Sequence, residues 1–132
     1  NWDNVFLDTK RGIGEGFNNT KILIDKMQDA AYSTASGTSR TTSYAAGLCG
    51  RLEYTVGRRM FDDWFLPSMD ELNLMYENLY KQGLGSFADD GYGYWSSSEY
   101  NASYAWSQDF ADGSQYGSRR DRINRVRPIR AF

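Results

Sequence analysis

The sequence predicts a single α+β domain with helices packed on a small twisted antiparallel sheet. Three observations predict it. Apolar residues recur at helical spacing through the first half of the chain, and short β-type segments separated by turn residues fill the last third. At 132 residues, with 40% hydrophobic and 16% aromatic content, the chain can build one core and has little left for a second. Because the helices precede the strands and do not alternate with them, the layers are expected to be segregated.

Residues 1–18 combine Trp2, Val5, Phe6 and Leu7 with Gly12, Gly14 and Gly16, which suggests a short extended piece and then a glycine-rich loop. The spacing is not a dinucleotide fingerprint, since the third glycine comes too early and no strand leads into it. Asn19 or Thr20 can cap a helix reaching about Ala31 that buries Leu23, Met27, Ala30 and Ala31. A polar loop from Ser33 to Ser43 leads to a second helix near Tyr44 to Tyr54, with Ala45, Leu48, Cys49 and Leu52 inward. The aromatic, strand-like run Asp62 to Ser68 stops at Pro67. Ser68-Met69-Asp70-Glu71 then has capping-box spacing, and Leu72, Met75, Tyr76 and Leu79 form one helical stripe ending before Gly83. Asp70 and Glu71 are read as first-turn acids that complement the helix dipole and cap it, not as a catalytic pair.

From Tyr92 onward the texture is β: Tyr94 to Glu99, Tyr104 to Phe110, Gln115 onward, and Asn124 to Phe132. Strand alternation places Trp106 and Phe110 on one face, with Ser107 and Asp109 on the other. Asp112-Gly113 predicts a tight hairpin turn.

The residue inventory narrows the chemistry. Histidine is absent and Cys49 is the only cysteine. A Ser/His/Asp triad, a Cys/His pair, an intrachain disulfide and a zinc site built on cysteines are therefore excluded. The expectation is a protein that is not an enzyme and uses no cofactor or metal, with Cys49 a buried small hydrophobe. A net charge of -2 offers no global attraction to nucleic acid, and no apolar run approaches the roughly 20 residues a spanning helix needs. The chain opens Asn-Trp-Asp with neither initiator Met nor signal peptide, which suggests a piece of something longer.

Four ordered motifs carry a resemblance. Asp63-Trp64-Phe65-Leu66-Pro67-Ser68 with Asp70-Glu71-Leu72, Tyr94-Trp95-Ser96-Ser97-Ser98-Glu99, Trp106 to Phe110, and Arg125-Val126-Arg127-Pro128-Ile129-Arg130-Ala131-Phe132 resemble the bacterial family typified by the C-terminal domain of a collagen-like adhesin. Gly14 to Thr20 is similar to that family's approach to its first helix, so the likeness covers about residues 12 to 132. It implies the C-type-lectin-like fold of the formylglycine-generating-enzyme branch. Catalytic members of that branch depend on paired cysteines, which Cys49 alone does not supply. The family also opens with an apolar strand that pairs with the C-terminal strand, and no convincing copy precedes Trp2; the domain is expected to lack its upstream first strand, leaving Val126 to Phe132 an open edge.

A narrower resemblance concerns residues 101 to 124, which look like the mutagenised region of a variable protein of a diversity-generating retroelement. With Trp106, Gln108, Phe110, Gly113, Gln115 and Arg119 as scaffold, the other positions hold residue types reachable from an asparagine codon by changing adenines. The ligand-binding residues this implies are Asn101, Ala102, Ser103, Tyr104, Ser107, Asp109, Ala111, Asp112, Ser114, Tyr116, Gly117, Ser118, Arg120, Asp121, Arg122 and Ile123, with Asn124 of the same type.

Composition points the same way without any family. Tyrosine gives contact area for few rotatable bonds, serine and glycine adapt, and arginine anchors. Alternation is expected to turn Tyr104, Ser107, Asp109 and Tyr116 outward, with Arg120 and Arg122 beside them. The expected partner is a protein or glycan receptor, at a bacterial cell surface or on a phage particle, with no nucleic acid, no membrane insertion and oligomer formation left open. The alternative is a non-diversified adhesin domain binding sulfated or acidic glycans through its arginines. Against that, Arg125, Arg127 and Arg130 are expected to be structural partners of carboxylates such as Asp63 or Glu99.

Overall fold

A computed structural model describes residues 7–28, 45–101, 103–120 and 122–131. The expected extended piece at Trp2 to Phe6, the helical residues Ala30 and Ala31, the loop Ser33 to Ser43, and the positions Ala102, Asp121 and Phe132 lie outside the described residues. The chain folds as α+β. Its elements run α1 (Gly16–Gln28), α2 (Ala45–Gly50), a hairpin of β1 (Tyr54–Val56) and β2 (Arg59–Phe61), α3 (Met69–Asn78), a 3-10 turn (Tyr80–Gln82), and the antiparallel sheet β3 (Tyr94–Glu99), β4 (Tyr104–Gln108), β5 (Gln115–Arg119) in that spatial order.

The α3 start follows the sequence expectation. Ser68 is the N-cap, its hydroxyl accepts from Glu71 N–H, and the Glu71 carboxylate accepts from Ser68 N–H at 2.8 Å. Glu71 does more than its own helix requires. It also accepts from Gly14 N–H at 3.0 Å and Gly16 N–H at 3.1 Å, so one carboxylate caps α3 and binds the start of α1. That long-range cap lets α1 begin at Gly16, ahead of the expected Asn19 or Thr20. Both of those are buried inside the helix and serve as tertiary links: Asn19 exchanges bonds with the Lys10 backbone at 2.9 and 2.7 Å, and Thr20 Oγ1 accepts from Leu66 N–H at 2.9 Å.

The second helix is shorter than expected, Ala45–Gly50, with Ala46, Gly47 and Cys49 buried and Leu48 exposed. Its expected continuation to Tyr54 is a β-hairpin instead, turning at Gly57 and Arg58. The strand-like run at Asp62 to Ser68 contributes a single antiparallel bridge, Phe65 to Ile129, and then buries Leu66 and Pro67.

The core lies between α3 and one face of the sheet. Met69, Leu72 and Met75 meet Tyr94 and Phe110, with Tyr76, Tyr80 and Phe87 around them. Phe110 sits 4.9 Å, ring to ring, from both Phe87 and Tyr94. It belongs to no strand. β4 ends at Gln108, and residues 109–114 form a loop closed by Gly113 N–H to Asp109 O at 2.7 Å and Asp109 N–H to Ser114 O at 2.9 Å. The expected two-residue turn is therefore this wider loop, which drops Phe110 into the core. Gly113 has φ of +80° and lies under Tyr76, so a side chain there would be strained and would meet the ring.

The β3 strand is fixed by hydroxyls. Ser96 Oγ donates to Trp106 O at 2.7 Å, Ser97 Oγ accepts from Asn19 Nδ2 at 3.2 Å, and Ser98 Oγ accepts from Met69 N–H and donates to Lys10 O. All three serines are buried. Residues 7–11 thus lie along β3 as a strap tied by side chains, with Thr9 and Leu7 N–H groups donating to Glu99.

Candidate functional site

Alternation separates Trp106 from Ser107, but Tyr104, expected to turn outward with Ser107, lies on the Trp106 face, and what covers each face also differs from the expectation. Trp106, Gln108 and Tyr104 share one face of β4, and Ala105 and Ser107 share the other, where they pair with Ser118 and Tyr116 of β5. That second face is not open to solvent. After β5 the chain reaches the opposite edge of the sheet, where Arg125 bridges Tyr94 in parallel, and Asn124 lies over this face on the way. Asn124 Nδ2 donates to Ser107 Oγ at 3.1 Å. Ser107 is 0% exposed and Ser118 is buried, which corrects the expectation that Ser107 points outward with the binding residues. Tyr116 is half-buried; its hydroxyl reaches the Gly93 backbone, and burial, with Asp109 and Asp112 nearby, raises its pKa.

Arg120 is the second correction. Its guanidinium pairs with Glu99 in the interior, donates to Asn101 O at 3.0 Å, and its N–H bonds Ser103 O at 3.1 Å. It is a framework cation that holds Asn101 and Ser103 of the β3–β4 connection. Glu99 therefore has Arg120 as its partner, whereas Arg125 pairs with Asp90, and Arg127 donates to the carbonyls of Gly85 and Ser86. Arg130 takes Asp63 in a two-pronged bond at 2.7 and 3.1 Å, as expected of that pair. Each arginine hydrogen bond holds its acid, Asp63 or Asp90, below the usual carboxylate range.

The remaining candidates fall at opposite ends of the sheet, Asn101, Ser103 and Tyr104 at the β3–β4 connection and Asp109 to Ser114 at the β4–β5 loop. Asn101, Ala111, Asp112, Ser114, Arg122 and Ile123 are exposed; Ser103, Tyr104, Asp109 and Gly117 are partly so. Two Asx turns shape the 109–114 loop, with Asp109 Oδ1 accepting from Ala111 N–H and Asp112 Oδ1 from Ser114 N–H. The Ser114 backbone bond lowers the Asp112 pKa. Asn101 Oδ1 accepts from Ser103 and Tyr104 N–H, which sets the β3–β4 connection.

Sequence reasoning missed the aromatic part of the rim at the β3–β4 end. Tyr100 is 52% exposed and lies edge-on to Trp106, ring centres 4.8 Å apart, with Tyr104 6.3 Å away. Gly117 lies below Tyr100, where an added Cβ would come within 3.1 Å of the ring. The Arg11 guanidinium covers Trp106 at 4.6 Å, and Arg119 is opposite Tyr104. Trp106 is thus only half-buried, at the part of the face that lies beyond α3. A Tyr next to Asn101 was the available signal; Arg11 came from too far away to give one.

Among the described residues no group of three or more Cys, Asp or Glu is placed to hold a metal ion, and no helix is long and apolar enough to cross a membrane. The family model described as the Lcl C-terminal domain matches residues 18–130. No curated protein and no solved structure matches. With well over half of its length matched, the chain belongs to the Lcl C-terminal domain family.

Proposed function

We propose that this is a non-enzymatic recognition domain of adhesin type, with a C-type-lectin-like fold, that binds a cell-surface protein or glycan through the rim of its sheet. The observation that carries the reading is the cluster of Tyr100, Tyr104 and Trp106, three rings packed on one another at the part of the sheet α3 leaves uncovered. Aromatic area of this kind, bordered by Asn101, Ser103 and two arginines, is what recognition surfaces use. Family membership supports the binding sense.

The finer reading is a variable surface written by a retroelement. The residue types of positions 101–124 support it, and the exposed or half-exposed members, Asn101, Ser103, Tyr104, Asp109, Ala111, Asp112, Ser114, Arg122 and Ile123, are where varied side chains meet a partner. Buried Ser107, Ser118 and Arg120 do not fit that role. Sequencing the locus in sister isolates tests it: substitutions concentrated at the exposed positions support diversification, and changes scattered along the chain reject it.

A second reading has its own observation. Arg11 over Trp106 and Arg119 opposite Tyr104 bring cationic groups into the aromatic patch, which suits an acidic or sulfated glycan. Tyr100→Ala and Tyr104→Ala, assayed on a glycan array and on cell-surface protein panels, test the shared core of both readings. Retained binding by both variants overturns it. Loss of affinity with rising salt selects the acidic glycan.

A further inference from the structure

Tyr100, Tyr104 and Trp106 form a chain of contacts in which the Tyr100 ring touches both of the others. Two features of the sheet bring this about. Tyr104 and Trp106 are two residues apart on β4 and share a face, while Gly117, paired with Trp106 across β4 and β5, has no side chain and leaves room for the Tyr100 ring. The rings are not coplanar. Tyr100 is tilted 57° from Tyr104 and 62° from Trp106, with centres 6.3 and 4.8 Å apart, so neighbouring rings enclose notches in place of one flat platform. Tyr100 is more than half exposed and the other two are partly so.

The polar atoms of the same rings narrow the choice of ligand. Among the described residues neither tyrosine hydroxyl nor the Trp106 indole N–H donates a hydrogen bond. An indole N–H can only donate and a phenol donates readily, so the patch suits a ligand rich in free carbonyls. A polyproline II segment is such a ligand: it has no internal hydrogen bonds, and its prolines dock into grooves lined by aromatic side chains. It rises about 3.1 Å per residue with about three residues per turn. Ring spacings of 4.8 and 6.3 Å therefore set the three side chains along roughly one turn of it. A sugar ring, by contrast, stacks on one open ring face, and the largest ring here, Trp106, has a face taken by the Arg11 guanidinium at 4.6 Å. Arg11 is itself exposed and brings positive charge to the Trp106 end of the patch.

We propose that the aromatic rim binds a proline-rich segment of a partner protein, held in polyproline II form, with an acidic residue flanking the prolines. This rests on the reading of the rim as a recognition surface and names its ligand. Prolines seat between Tyr104 and Tyr100 and between Tyr100 and Trp106. The two hydroxyls and the Trp106 N–H donate to peptide carbonyls, and Arg11 takes the flanking carboxylate.

The test is a titration of the nitrogen-15-labelled chain with an acetylated, amidated peptide of six prolines carrying two aspartates at each end, so that either chain direction can meet Arg11. The expected result is saturable shifts at the Trp106 indole N–H, assigned by its loss in Trp106→Phe, and at the amides of Tyr104 and Ala105. Tyr100→Ala, at an exposed position, should weaken binding about tenfold, roughly 1.4 kcal/mol. Arg11→Ala should weaken the aspartate-flanked peptide and leave a serine-flanked one unchanged, a split that loss of folding does not give. Equal binding of a peptide with the same aspartates and glycine–serine repeats in place of the prolines, or equal binding of the proline peptide by Tyr100→Ala, would overturn the proposal. Should the proline peptide give no shifts while Tyr100→Ala and Tyr104→Ala still abolish binding on the glycan array or the protein panels, the rim remains a recognition surface and this ligand is wrong.

Discussion

The Arg120 guanidinium lies against the Glu99 carboxylate with the two side chains only 7% and 2% exposed. The same carboxylate accepts from Leu7 and Thr9 N–H, so the pair joins Asn101, the end of β3 and the strap of residues 7–11. Removing one member leaves a buried charge unmatched. Arg120→Ala should lower unfolding free energy by about 3–5 kcal/mol in urea titrations, while Arg122→Ala stays within about 0.5 kcal/mol. Equal, small effects would return Arg120 to the surface.

Phe110 is fully buried among Tyr76, Tyr80, Phe87 and Tyr94. Phe110→Ala should cost about 3–5 kcal/mol by leaving a cavity in that ring cluster. Half-exposed Trp106 should cost less on truncation and should change the fluorescence and binding of the rim more. Thermal melts of the two variants side by side check the ranking.

The Glu71 carboxylate accepts from three backbone N–H groups, those of Gly14, Gly16 and Ser68, at the starts of two helices. Glu71→Ala should therefore destabilise by about 1–3 kcal/mol, more than Ser68→Ala, whose cap is worth about 1 kcal/mol. Hydrogen exchange should quicken at the start of α1 as well as α3. If only α3 responds, the link to Gly14 and Gly16 is not formed in solution.

Burial pushes the Cys49 thiol up to about 12. The folded protein should not react with a thiol reagent at pH 8 and should do so on unfolding. The sign of the pH dependence follows from the raised value. In the unfolded chain the thiol ionises near its ordinary pKa of about 8.5, so this contribution to stability is intact below that pH. It is lost as pH rises toward about 12, and Cys49→Ala should flatten that alkaline decline in melting temperature.

Local signals were the legible ones. The capping box at Ser68 and the stripe Leu72, Met75, Tyr76 specify α3 within a few residues of one another, and the structure has that helix. The start of α1 was not legible because its cap, Glu71, comes from the other side of the domain. The hairpin at Tyr54 to Phe61 had a signal in Thr55-Val56-Gly57-Arg58, obscured by reading the preceding helix too far. For the site, alternation correctly grouped Trp106 apart from Ser107. It holds no information about the return of Asn124 over Ser107, nor about which of several arginines meets Glu99.

The hydroxyl-rich centre has a consequence for how this domain responds to temperature. Ser96, Ser97, Ser98, Thr9, Asn19, Gln108 and Glu99 are buried where many domains of this size place aliphatic side chains. Newly hydrated polar surface lowers the heat capacity of unfolding, whereas apolar surface raises it. The heat-capacity increment should accordingly fall below the usual ~12–15 cal/mol/K per residue. A smaller increment gives a broader, flatter stability curve, so the domain should hold much of its modest maximum stability across a wide span of temperatures and resist cold denaturation.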